Sequence, residues 1–351
     1  MPGWSSDVSY YSRPDRADCH MKAIRSNVYK IKKEKQMTVF IIRRVILAVI
    51  VLIIVSLIVF SMLHMLPGDP ARVMLGEDPS REQVEALRHE LWLDRPLTVQ
   101  YIHWIGNVLQ GDFGKSVVNN LSVRELIAIR VPVTFHLGLT AMVVSVFIGI
   151  PLGIISAVRR GSALDSVITV SANFGMAVPI FWLGILLVYL FALKLGWLPV
   201  QGYTSPFDDL WLSVKKLIMP AMCLSVVPLA VITRQTRSSM LEVILQDYIR
   251  TARSKGLKKS VIITGHALKN AIIPVITLLG MQLRYLVGGS VLTESVFNVP
   301  GMGRLMVRAV FDKDFLTVQG CIMTVSLVVV LANLAVDISY GYFDPRIRYE
   351  D

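Results

Sequence analysis

Six long apolar runs, separated by polar and basic stretches, mark this chain. The first, Val45 to Leu66, is 22 residues long and follows the basic stretch Lys30 to Arg44. About 20 apolar residues suffice to cross a bilayer, and no small-residue cleavage site follows, so the run reads as a retained transmembrane helix and not as a signal peptide. The others cover Thr134 to Val158, Val167 to Leu195, Leu217 to Thr233, Ala271 to Leu292 and Val318 to Tyr340. Pro151, Pro179, Pro220, Pro228 and Pro274 interrupt them, which membrane helices tolerate where neighbours or water satisfy the freed carbonyls. The pattern predicts an all-α polytopic membrane protein with six kinked, packed transmembrane helices.

Composition agrees. Of 351 residues 54% are hydrophobic and only 17% charged, against about 25% charged in an average soluble domain, which argues against a water-soluble globule. The excess of 36 Lys and Arg over 25 Asp and Glu, a formal charge of +11, marks cytoplasmic loops of a membrane protein and not a nucleic-acid surface. The segment before the first span is basic, Arg159 and Arg160 occupy the second connection, and the fourth carries Arg234, Arg237, Arg250, Arg253, Lys255, Lys258, Lys259 and Lys269 against Glu242 and Asp247. These segments belong inside, so both termini are expected in the cytoplasm. Cys19, Cys223 and Cys321 are too few and too scattered for a disulfide framework or a metal cluster and read as packing residues.

The chain divides accordingly. Residues 1–36 form an extension expected to be disordered, 37–66 the basic flank and first helix, 67–131 an external subdomain, 132–343 the membrane core and 344–351 a cytoplasmic tail. Within 67–131, Ser80 can cap a helix whose third residue is Gln83, putting Val84, Leu87 and Leu91 on one face toward the membrane helices. The stretch Gly111 to Ser116 is superficially like a phosphate loop, but the second glycine that loop needs is Leu109, so a turn is expected.

The long fourth connection, 234–270, is the most informative segment. Asp247 can cap a short helix, Gly256 can end it in a left-handed conformation, and Ser260 can start a second helix carrying Val261, Ile262 and Leu268. A helical hairpin results. A solvated loop has no need of Tyr248, Ile249, Ala252 and Leu257 beside its basic residues, whereas a docking surface does.

Here the chain resembles a known family. Arg250, Thr251, Ala252, Arg253, Ser254, Lys255, Gly256 and Leu257, followed by His266, Ala267, Leu268, Lys269, Asn270 and Ala271, resemble the coupling loop of ABC importer permeases, in particular the peptide/nickel branch. Other stretches agree: Leu66 to Pro70, Leu93 to Leu97 with Gln100 and Tyr101, Gly111 to Ser116, Glu294 to Gly303, and Asp344 to Arg346. Arg250 stands where other branches carry an acid, and Trp92 where the family usually has glycine. Together the similar stretches reach from about Met37 to Arg348.

The resemblance implies a transport subunit and not an enzyme. It implies a second, homologous permease, two cytoplasmic ATPase subunits that hold ATP and Mg, an extracytoplasmic solute-binding protein, and a place in the plasma or inner membrane of a bacterium or archaeon. No cofactor is expected on this chain. ATP-driven closure would push the hairpin, and the attached helices would rotate a central cavity between outside and inside. Peptide is the adopted substrate, although nickel chelates, glutathione-like solutes and sugars share the permease pattern.

The competing function is transport driven by an ion gradient, for which Asp337, His64 and Arg284 are the available ionisable groups. No hydrolase set of serine, histidine and acid faces one cavity plausibly, and His64 and His136 read as interfacial or helix-bridging residues. Arg284 lies about 20 Å along the fifth helix from Ala271, in the outer half of the bilayer. It can snorkel, pair with an acid of the second permease, or line the pathway and attract a substrate carboxylate.

Overall fold

The computed structural model describes residues 16–65, 69–75 and 79–343, with side chains placed over 39–65, 69–75, 79–282 and 290–338. Among them the regular elements are helices: α1 (Arg16–His64), α2 (Pro70–Leu75), α3 (Arg81–Glu90), α4 (Leu97–Leu109), α5 (Val123–Val158), α6 (Ala163–Ala177), α7 (Ile180–Leu187, continued by a π-helical stretch Val188–Lys194), α8 (Leu210–Ile244), α9 (Asp247–Ser254), α10 (Lys259–Val261, continued by a π-helical stretch Ile262–Ala267), α11 (Leu268–Val296), α12 (Met302–Phe311) and α13 (Phe315–Phe343). Five are long and apolar enough to cross a membrane, and α6 with α7 and its continuation makes a sixth when the pair is taken together. Ile46, Val49, Ile50, Ile53, Ile54 and Leu57 of α1 are exposed, a face suited to lipid.

Four features differ from the expectation. Backbone from Arg16 to residue 36 is helical, where disorder is expected, because no proline or glycine interrupts the chain from Arg16 to His64; residues 1–15 and 344–351 lie outside the described residues. The third apolar run is not one continuous helix: it bends by 106° between α6 and α7. Pro179 has no N–H and drives Val178 into extended backbone (φ −75°, ψ 128°), whereas Pro132, Pro151, Pro220, Pro228 and Pro274 sit inside unbroken helices. Finally, α5 begins at Val123, inside the segment expected to be the external subdomain, and α8 runs on to Ile244, well beyond Thr233. Hydropathy marks where a helix meets lipid; backbone hydrogen bonding continues past that point.

The centre of the bundle is the long contact of α5 with α8. Two glycines four residues apart, Gly149 and Gly153, let the backbones close: a Cβ at Gly153 would stand 2.5 Å from Thr236 Cβ, and one at Gly149 3.1 Å from the Leu229 carbonyl oxygen. Thr233 Oγ1 donates to the Gly149 carbonyl at 3.2 Å. Leu137, Ala141, Met219, Cys223 and Leu224 complete this core with Phe297 and Val299. Cys321 packs in a second cluster with Leu63, Val123, Ile127 and Met302, so both described cysteines are packing residues.

Of the face expected in the 79–122 region, Leu87 and Leu91 dock on the membrane helices, whereas Val84 is half-buried outside that cluster. Ser80 Oγ accepts from Gln83 N at 3.2 Å and Gln83 Oε1 accepts from Ser80 N at 3.0 Å, closing the capping box. Leu87 and Leu91 pack against Leu63 of α1 and Leu316 of α13. Trp92 follows with φ +58°, the left-handed position that glycine fills more cheaply, and its ring stacks on His103 at 4.0 Å. The glycines of 111–116 form a turn, and Ser116 Oγ donates to Asp314, which also accepts from Thr317 Oγ1 at 2.8 Å. That motif ties the segment to the start of α13.

Candidate functional site

Helix α9 joins α8 to α11 and carries most of the residues singled out from the sequence. Its N-cap position is Gln246 and not Asp247: Ile249 N bonds the Gln246 carbonyl, which leaves Asp247 in the first turn, where its charge favours the helix dipole. Its carboxylate lies 3.5 Å from Arg250, but both side chains are largely exposed and the pair contributes little. The helix ends as expected. Gly256 takes φ +76°, with Gly256 N bonded to Arg253 O at 2.9 Å and Leu257 N to Ala252 O at 3.4 Å, a Schellman closure. The second helix starts at Lys259 and not at Ser260, because Ile262 N already bonds the Lys258 carbonyl.

The two faces of α9 do different things. Ile249 and Ala252, 0% and 7% exposed, pack within the chain against Ala157 at the end of α5, Met240 of α8, and Ile262, Ala267 and Ala271. These two residues are therefore not part of a docking surface; they clamp α9 to the ends of three helices. Leu268 is half-buried at the edge of the same cluster. Tyr248 and Leu257, 42% and 40% exposed, do face outward, together with Arg250, Thr251, Arg253, Lys255 and His266. Tyr248 Oη accepts from Asn270 Nδ2 at 2.8 Å, which pins the ring to the start of α11. Beside α9 an open groove of about 430 Å³ is walled by Val158, Ile244, Arg253, Leu257, Lys259 and Ile263. The exposed surface is thus basic and apolar, on a base held by its own chain.

A polar latch absent from the sequence reading supports that base. Arg237 of α8 donates through Nε and Nη2 to the two oxygens of Asp165, at 2.8 and 2.9 Å. Asp165 also accepts from Ser156 Oγ of α5 and, at 3.0 Å, from the Gly161 backbone N–H. One buried carboxylate so joins the end of α5, the start of α6 and the stretch of α8 that leads into α9. Arg237, expected in a solvated loop, lies inside α8. Ser162 caps α6 by accepting from Asp165 N at 3.3 Å; its place three residues before Asp165 marks a helix start but gives no sign of the Arg237 pair.

At the far end of α11 the Glu294 to Gly303 stretch closes on itself. The buried Glu294 carboxylate accepts from Thr134 Oγ1 at 2.8 Å and from Arg304 N at 2.9 Å, and Thr134 Oγ1 accepts from Met302 N at 2.8 Å. A Cβ at Gly301 would meet that carboxylate, so the glycine is there for the close approach. The other ionisable candidates have structural partners: Asp337 pairs with Arg44 of α1 at 3.0 Å, His64 Nε2 bonds Gln100 Oε1 at 2.9 Å, and His136 Nδ1 bonds Tyr203 Oη at 3.1 Å. Arg284 belongs to the backbone of α11, but its side chain lies outside the described residues.

Comparison with known proteins covers nearly the whole chain. A family model described as "Binding-protein-dependent transport system inner membrane component" matches residues 149–349, and the model of that component's N-terminal part matches residues 37–138. The chain is 42% identical over 313 residues to a probable peptide ABC transporter permease protein of Sinorhizobium fredii, covering 89% of this chain and 100% of that one. It is 40% identical over 335 residues to the dipeptide transport system permease protein DppB of Escherichia coli K12, covering 89% and 99%. Among solved structures it is similar to an inward-facing MetNI methionine ABC transporter chain, at 19% identity and a TM-score of 0.48, over 62% of this chain and 96% of that chain.

Proposed function

From the premise that the chain belongs to the family of binding-protein-dependent transport system inner membrane components, we propose that it is the membrane-spanning permease subunit of an ATP-driven importer of peptides. Peptide is the substrate named for its relatives in Sinorhizobium fredii and Escherichia coli. In this reading two ATPase subunits bind ATP and Mg and seat on the exposed face of α9, a second permease completes the pathway, and a binding protein delivers the solute from outside. The chain itself carries out no hydrolysis. Its part is mechanical: the ATPases push α9, and the clamp of Ile249 and Ala252 passes the displacement to α8 and α11 as a rigid body. That two-faced construction of α9 is the observation that carries the proposal. Arg284, in the outer half of α11, is the candidate residue of the pathway.

Transport supplies the test. Liposomes holding this chain with its co-purified permease and ATPase subunits should import labelled dipeptide only with ATP inside the ATPase compartment and binding protein on the other side, and an uncoupler should leave the rate intact. Import that collapses with the ion gradient would instead establish the gradient-driven alternative.

Orientation has its own measurement. The charge of the basic connection supports an orientation with Lys258 in the cytoplasm and the 79–122 region outside. In intact cells an impermeant amine reagent should reach Lys115, while the exposed Lys258 should react only after permeabilisation. The reverse pattern would invert the assignment of both ends.

A further inference from the structure

At the end of the bundle away from α9, three arginines gather around one cavity of about 210 Å³. Arg130 comes from the second turn of α5, and Arg304 and Arg308 from α12. Arg130 Nη1 donates to the Pro300 carbonyl at 3.2 Å, but its Nε is buried and has no partner. Arg304 Nη1 reaches only the Asn298 carbonyl, at 3.4 Å, and Arg308 is exposed at the rim. Among the described residues no carboxylate oxygen lies within 4.0 Å of the guanidinium nitrogens of any of the three, the Glu294 carboxylate reaching only the backbone N–H of Arg304. Two acids do line the cavity: Asp314 is occupied by the hydroxyls of Ser116 and Thr317, and Asp312 is exposed.

Guanidinium groups stay charged in proteins, so like charges brought together this way repel. Burial and the charges of Arg308 and Arg130 together push the Arg304 pKa down. Backbone carbonyls at Asn298 and Pro300 offset part of that cost, but they leave guanidinium donors without a partner beside the cavity. The group that fits such donors is a carboxylate, which accepts two parallel N–H bonds from one guanidinium. The gradation from an exposed Arg308 to a buried Arg130 Nε suits an acidic side chain entering from bulk water.

We propose that this cavity receives a carboxylate side chain of the extracytoplasmic binding protein, and so forms part of the surface on which that protein seats. The inference rests on the importer reading above, which places this end of the helices outside. It chooses the binding protein over a free solute because the cavity lies at the end of α5, by the α11–α12 connection, and because the family depends on a binding protein to function. Docking through such a pair should be screened by salt and should change mainly with the charge of the rim residue.

The experiment uses the complete membrane complex in nanodiscs, with purified peptide-loaded binding protein titrated against ATPase rate. Arg308→Glu should raise the half-saturating concentration of binding protein at least about tenfold, and Arg308→Lys should recover much of that loss. Raising salt should weaken docking to the wild type more than to Arg308→Glu. The Arg308 side chain is exposed and has no hydrogen bond to lose, so co-purification of Arg308→Glu with the ATPase subunits serves as the folding check. An unchanged half-saturation in Arg308→Glu overturns the proposal, and unchanged docking with impaired peptide import gives the cavity to the solute instead. A wild-type complex that imports without any binding protein overturns the importer reading and this inference with it; a wild-type response that Arg308→Glu leaves unaltered overturns only the cavity's role.

Discussion

Replacing Asp165 by alanine should destabilise the purified complex by about 2 to 3 kcal/mol, read as a fall in its melting temperature of several degrees. The carboxylate holds two Arg237 donors, the Ser156 hydroxyl and the Gly161 N–H. Its removal strands all of them. Breaking a fully buried pair costs about 3 to 5 kcal/mol, but the Arg237 side chain is 30% exposed and regains some water, which sets the lower figure. Ser156→Ala deletes one of the four contacts and should cost about 1 kcal/mol. Since the latch fixes α8 just before α9, Asp165→Ala should also lower import per ATP hydrolysed. A melting temperature equal to wild type would show that the pair carries no net stability, and equal coupling would remove its role in supporting α9.

Gly256→Val should leave the helices inserted while the ATPases dock weakly or hydrolyse ATP without transport. The residue sits at φ +76° and ends α9, and a β-branched side chain there strains the turn by about 1 to 3 kcal/mol. Nothing lies within 4 Å of the position a Cβ would take, so the effect is conformational and involves no collision. That gives a clean control. Asparagine visits the left-handed region more readily than other residues, and Gly256→Asn should be much milder. Fluorescence-detected co-purification with the ATPase subunits, paired with import and hydrolysis assays, reads the outcome; normal coupled transport in Gly256→Val would take the mechanical role away from α9.

Both predictions depend on residues that differ in how far they could be read in advance. Gly256 was legible because a glycine after an amphipathic stretch is a local signal, and its positive φ needs only the residues from Thr251 to Leu257. The capping box of Ser80 and Gln83 was legible for the same reason. Asp165 was not: its partner Arg237 lies 72 residues away, and a lone acid near the end of an apolar run looks like any solvated flank. Tyr248, Ile249, Ala252 and Leu257 fell between. Their apolar character reads as a docking surface, but composition cannot tell a partner subunit from the chain's own helices. The structure divides them, turning Ile249 and Ala252 inward and leaving Tyr248 and Leu257 outside.

The sequence by itself determined what local forces decide: the apolar runs that cross a bilayer, the charge of the connections between them, the Ser80 capping box and the Gly256 turn, and the motifs that resemble the family. These depend on neighbours in the chain and on the cost of placing polar groups in lipid. Only the tertiary structure decided where α5 and α8 meet through Gly149 and Gly153, how the third run bends at Pro179, which face of α9 is clamped, and which arginines gather with or without an acid. Those outcomes turn on contacts between residues far apart in sequence, where a difference of one helical face decides whether a side chain is buried, paired or left to bind something else.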